Sequence, residues 1–337
     1  MIKSMYSGIS GMNAQQKKLD VIGNNIANSG TTSFKSSRVT FQDTMRETIG
    51  KGSGPVLALG GSNPKQIGMG VNLQSIEVNT GQGSLNPTGR PLDNAIDGSG
   101  CYFIVGKGPV NGSVKITGDG TDEGNIEPFY TRDGEFKRDS LGNLVTPNGY
   151  RVMGYYPEGG GATVAYNDTS KKIEVTVDEL KDGEMERAEG TLKGDLKPLA
   201  IPENVINGAG EKIKVTGFTI EKDGVLKVSL EDGTSAVIGQ VAMASFVNDG
   251  GLEGVGQNMY VPGVNSGKPA YRPGKGSDNE KAAAAYGSII NGMLEMSNVD
   301  LAVEFTEMIV ASRSFQACSK VITTGDEILQ ELVNLKR

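Results

Sequence analysis

Asp119-Gly-Thr-Asp-Glu-Gly124 sets oxygen-bearing side chains at its first, third and fifth positions and glycine at its sixth, the spacing of a calcium loop. Such a loop closes with a bidentate glutamate at the twelfth position, and that position is Tyr130. The stretch therefore reads as a solvated hairpin tip. The chain has no histidine, which removes Ser-His-Asp and Cys-His catalysis and every metal site built on imidazole. Gly98-Ser-Gly100 and Gly106-Lys-Gly108 do not complete a G-x-G-x-x-G turn, and no G-x-x-x-x-G-K-[ST] loop is present. Cys101 opens a predicted strand and Cys318 sits among apolar helix neighbours, so both read as small buried hydrophobes with no base to activate them. The 40 Asp and Glu and 33 Lys and Arg are scattered, give a net charge of −7 and form no basic cluster, which argues against nucleic acid. These residues point to no enzyme, no metal and no cofactor.

The elements that would have to position any site are helical at the ends and β in the middle. Hydrophobic residues make up 36% and aromatic residues 6%, with no Trp, so the core must be aliphatic; 49 glycines and 13 prolines predict many turns. The opening MIKSMYSGISGM has no signal-peptide core or cleavage site, and no stretch is apolar enough for a membrane span. A cytosolic chain, or one exported without a cleaved signal, is expected.

From the start, Ile2, Met5, Ile9, Met12, Gln16, Leu19, Gly23 and Ile26 follow heptad spacing. At the other end Leu301, Phe305, Met308, Ser312, Phe315, Ser319, Ile322, Asp326, Leu329 and Val333 do the same. Ser297 and Asp300 are placed to cap the second helix, and Lys336-Arg337 puts cations at its end. Neither helix buries its stripe alone. Two partners stand open: each other, as an intramolecular hairpin, or copies of the same chain in an assembly. The polar members of both rows weaken a two-stranded coil and suit a monomer stabilised by neighbours.

Between the helices, residues 43–72 are rich in Gly, Ser and Pro without a period and read as an extended linker. Strand-like runs begin at 73–78 and 102–105 and continue to about 156. Residues 157–237 are more charged and more regularly alternating, with Asp223-Gly224 and Asp232-Gly233 as hairpin signals. The organisation expected is nested: a helical domain of 1–28 and 295–337, a linker arm of 29–72, a first β domain of 73–156 and 238–294, and an inserted β domain of 157–237. The fold class is mainly β with long helical termini.

Ser7-Gly-Ile-Ser-Gly-Met-Asn-Ala-Gln15, then Asn24, Asn25, Ile26, Ala27 and Asn28, then Thr31-Thr-Ser-Phe34-Lys35, resemble the N-terminal signature of the bacterial flagellar rod and hook proteins. That signature usually closes Thr-x-Gly-Phe-Lys; Ser33 takes the glycine position, so an altered turn is expected. Thr88-Gly-Arg-Pro-Leu-Asp-Asn-Ala-Ile-Asp-Gly98, Tyr130-Thr-Arg-Asp-Gly-Glu-Phe136 with Gly142-Asn-Leu-Val145, Leu294–Leu301 and Ser319–Glu327 are similar to further family segments. Residues 157–237 lie outside the resemblance.

The added length, the 59–70 linker and the C-terminal sequence resemble hook proteins more than rod proteins. The resemblance implies a hook subunit, exported uncleaved by the flagellar type III apparatus and polymerised with copies of itself into a flexible tube outside the cell. Its other implied partners are the distal rod protein, the hook–filament junction protein and the hook cap. The apolar helix positions named above, Ile2 to Val333, would be its assembly contacts. The alternatives are a distal rod subunit and, from another class, a secreted oligomeric adhesin.

Overall fold

The computed structural model describes residues 2–54, 60–109, 112–114, 126–158, 162–167, 172–177, 191–192, 195–207, 212–274 and 286–335. The calcium-like stretch at 119–124 and the cations at 336–337 lie outside these residues. The chain forms two units, one of residues 1–30, 35–79 and 299–337 and another of 31–34 and 80–298.

The first unit holds the N-terminal helix, Ile2–Ala27, and the C-terminal helix, Leu301–Leu335. At ~1.5 Å per residue these are roughly 40 and 50 Å long. They pair antiparallel: Gly8 faces Ile322 and Cys318, Met5 touches Gly325, and Asn25 donates a hydrogen bond to Glu304. Asp300 caps the C-terminal helix through Oδ1, which accepts from the amides of Ala302 at 2.9 Å and Val303 at 3.3 Å.

Residues 43–72, expected to be an extended linker, include paired β strands among their described residues. Ser37–Asp43 pairs with Val71–Val78, and Arg46–Gly50 pairs with Lys65–Gly68, both antiparallel. The Thr44 amide to Gly70 and the Met69 amide to Met45 carry the ladder across the join. The ribbon was hidden in sequence because its distal half is exposed on both faces and so lacks alternation. Its base lies on the N-terminal helix, where Gly70 at φ +117 leaves no room for a side chain beside Ser10.

The second unit is built on a broad sheet. Its described strands run in the order Ala162–Asn167, Lys172–Val177, Asn204–Asn207, Lys212–Ile220, Val225–Leu230, Ser235–Val241, Arg151–Tyr155, Cys101–Lys107, Glu127–Thr131, Met259–Val261, Glu253–Gly256. Neighbours are antiparallel, apart from the parallel pair Lys172–Val177 with Asn204–Asn207. Gly224 at φ +82 and Gly233 at φ +77 turn the hairpins that Asp-Gly signalled. The domain boundary expected at 237 falls inside the strand Ser235–Val241, which bonds Val225–Leu230 on one side and Arg151–Tyr155 on the other. One buried cluster contains Phe103 and Val152 together with Leu199, Leu226 and Val228. The described strands between residues 195 and 237 thus share a core with the strands around them, because alternation marks a half-buried strand but not whose core it joins.

Candidate functional site

The helical hairpin is closed by small residues. On the N-terminal helix the inward row is Gly8, Gly11, Gln15, Lys18, Ile22 and Asn25, with Ala14 beside it. Each member of that row stands one residue before a position of the apolar stripe, a rotation of about 100°. Met5, Met12, Leu19 and Ile26 are consequently only half-buried and Ile9 is exposed, while the Ile2 side chain is outside the described residues. On the C-terminal helix the inward row is Glu304, Met308, Ala311, Phe315, Cys318, Ile322, Gly325 and Leu329. Met308, Phe315, Ile322 and Leu329 are shared with the sequence stripe, but Leu301, Phe305 and Val333 point to solvent. Bulk at 8, 11 or 325 would push the helices apart.

That rotation leaves apolar surface free. Val303, Val310, Val321 and Ile328 each precede an inward residue by one position and are 45–56% exposed, forming a stripe beside the seam. Phe305 and Ile309 form a shorter stripe on its other side. The C-terminal helix thus carries apolar residues along the seam and on both sides of it. The distal ribbon adds Met45, Ile49, Ile67 and Met69, all exposed. An isolated two-stranded ribbon is marginal in water.

The asparagine run has distinct jobs. Asn28 ends the helix by donating Nδ2 to the Asn24 carbonyl and Asn24 Oδ1. Asn25, buried, accepts the Ser37 amide at 3.0 Å and donates to the Ser37 carbonyl at 2.9 Å, so its amide substitutes for a strand neighbour at the base of the ribbon. The same Nδ2 donates to Glu304 at 2.9 Å, and Lys18 pairs with Glu307 at 3.1 Å. Burial raises the Glu304 carboxyl above its ordinary range, opposed by the hydrogen bond from Asn25. Ile26 is half-buried, Ala27 exposed and Lys35 buried.

Thr31 to Phe34 belong to the second unit. Ser33, at the position the signature gives to glycine, has a left-handed backbone at φ 57. Its amide donates to the Glu295 carbonyl and its hydroxyl to the Arg132 carbonyl, both at 2.8 Å. Arg132 and Glu295 themselves form a fully buried ion pair at 2.8 Å. The guanidinium also donates to the carbonyls of Cys101 and Gly98, and Glu295 Oε1 accepts the Gly83 amide. Nothing in sequence ties Arg132 to Glu295, since they lie 163 residues apart.

These arrangements hold segments together. Burial pushes the Cys101 thiol up, against the pull of Arg132, which leaves it a poor nucleophile. Among the described residues, no group of three Asp, Glu or Cys side chains is placed to hold a metal ion, and no helix is long and apolar enough to cross a membrane.

Known proteins match along the chain. Residues 5–35 fit the family model described as "Flagella basal body rod protein", residues 115–228 that of "Flagellar hook protein FlgE/F/G D1 domain", and residues 290–335 that of "Flagellar basal body rod FlgEFG protein C-terminal". The middle match covers most of the region that the sequence resemblance left out. The chain is 41% identical over 339 residues to the flagellar basal-body rod protein FlgG of Bacillus subtilis, covering 100% of both. It is 31% identical over 466 residues to the flagellar hook protein FlgE of Borreliella burgdorferi, again covering 100% of both. The crystal structure of the Helicobacter pylori flagellar hook protein FlgE2 superposes with a TM-score of 0.38 at 13% identity, over 63% of this chain and 100% of that one.

Proposed function

We infer the function from kinship, since the chain belongs to the flagellar rod and hook protein family. It is a structural subunit of the flagellar axis. Within the family the reading supported best is a distal rod subunit, in place of the hook subunit that its length suggests in sequence. The observation that carries it is the rod match: 41% identity end to end over 339 positions. The hook match spreads the 337 residues of this chain over 466 positions. A hook subunit stands as the second reading, favoured by the 31% identity that also runs end to end.

In either reading the chain works by polymerising with copies of itself. The hairpin consumes its small-residue seam internally and presents the Val303–Val310–Val321–Ile328 stripe to neighbours. Contacts of this kind, one face of a subunit on a different face of the next, do not close on themselves and build a helical tube. The exposed apolar residues of the ribbon extend the contact. The buried Arg132–Glu295 pair inside the β unit suits a part that passes torque along. Export without a cleaved signal belongs to the same reading, as do contacts with the neighbouring axial proteins.

Electron microscopy of basal bodies from a strain lacking the gene tests the choice. Rods cut short are expected. Complete rods ending bare would move the protein to the hook, and intact hooks and filaments would overturn both readings.

A further inference from the structure

Ser33 is a buried non-glycine residue, 2% exposed, in the left-handed region. An L-residue disfavours that backbone, so something must hold it there. Both holders belong to one ion pair: the amide of Ser33 bonds the backbone carbonyl of Glu295, and its hydroxyl bonds the backbone carbonyl of Arg132. The flanking residues are fixed too. Asn258 Nδ2 donates to the Thr32 carbonyl at 2.8 Å, and the Asn298 amide donates to the Phe34 carbonyl at 3.3 Å. Residues 31–34 are therefore a four-residue strap seated in the β unit, while the residues before and after it belong to the helical unit.

We propose that Ser33 is a positioning residue, whose hydroxyl latches this strap to the Arg132–Glu295 pair and keeps it seated when the chain is loaded. Glycine would fit the backbone and keep the amide bond, but would leave the Arg132 carbonyl without this donor. Alanine would keep the unfavourable backbone and lose the donor as well. Serine alone among the three supplies the extra bond. The mechanical half of the proposal rests on the axial-subunit reading; the latch itself does not.

Hydrogen–deuterium exchange of the purified full-length chain, read by mass spectrometry over residues 31–36, tests the latch without any assembly. Loss of the hydroxyl bond in S33A is expected to speed exchange of the strap by about tenfold, with the strand Ser235–Val241 unchanged. S33G is expected to fall between S33A and the wild type. Strap exchange in S33A equal to that of the wild type overturns the latch. Swimming in viscous medium tests the load. A strain carrying S33A, or S33G where S33A does not assemble, with basal bodies complete by electron microscopy, is expected to swim more slowly. Unchanged swimming with complete basal bodies overturns the mechanical role and leaves the axial reading standing.

Discussion

Gly11 of the N-terminal helix and Cys318 of the C-terminal helix meet so closely that a Cβ on Gly11 would lie 3.0 Å from the Cys318 sulfur. The hairpin is set by that approach. A bulky residue at 11 crowds the Cys318 sulfur, and overpacking of this kind costs about 1–3 kcal/mol. Gly11→Leu is expected to lower the thermal midpoint of the helical unit while leaving the β unit intact, as followed by circular dichroism at helix and strand wavelengths. An unchanged helical transition would contradict the close seam.

Arg132 and Glu295 are both fully buried, and each also serves backbone groups of other segments. Removing one partner strands the other, at a cost of about 3–5 kcal/mol. Glu295→Ala should therefore strongly destabilise the β unit in urea. A double variant, Arg132→Leu with Glu295→Leu, should lose less than the sum of the single losses. Simple additivity would show that the two side chains do not act as a pair.

Asn25 holds both backbone groups of Ser37. Asn25→Ala leaves those groups without their partner, and each buried group left unpaired costs about 1–3 kcal/mol. Faster amide exchange at the base of the ribbon, around residues 37–43 and 71–78, is expected from that substitution. Unaltered exchange there would assign the stability of the ribbon to its own ladder.

Glu304 supplies a pH dependence. Its carboxyl is raised by burial, against the hydrogen bond from Asn25. A carboxyl raised on folding binds its proton more tightly in the folded state. Its charge thus detracts from stability at neutral pH, and the deficit fades as pH falls through the raised pKa. Compared with Glu304→Gln, the wild type should gain urea resistance as pH falls from neutral towards the ordinary glutamate value of 4.5. The opposite trend would mean that Asn25 and Lys18 dominate at this site.

The sequence made the existence of both helices plain, because heptad spacing survives any choice of partner. The apolar stripe it shows does not coincide with the seam inside the hairpin, because hydrophobicity weights large side chains and this seam is closed by Gly8, Gly11, Ala311, Cys318 and Gly325. The bulky residues turned outward, Leu301, Phe305 and Val333, are the ones a stripe count picks first. Asp-Gly turns at 224 and 233 were legible since glycine there answers a local backbone need. The ribbon was not, as Met45, Ile49, Ile67 and Met69 have no core within the chain to alternate against. The Arg132–Glu295 pair depends on the completed fold and leaves no local pattern.

Under the proposed function, the stripe left open by the hairpin joins one copy to the next. A photoreactive phenylalanine analogue placed at Val310 or Ile328, followed by illumination of intact flagellated cells and blotting for this chain, tests that contact. Adducts at twice the mass of the chain, containing this chain alone, are predicted at both positions. Monomers with no adduct at either position, in cells whose flagella are complete, would contradict it.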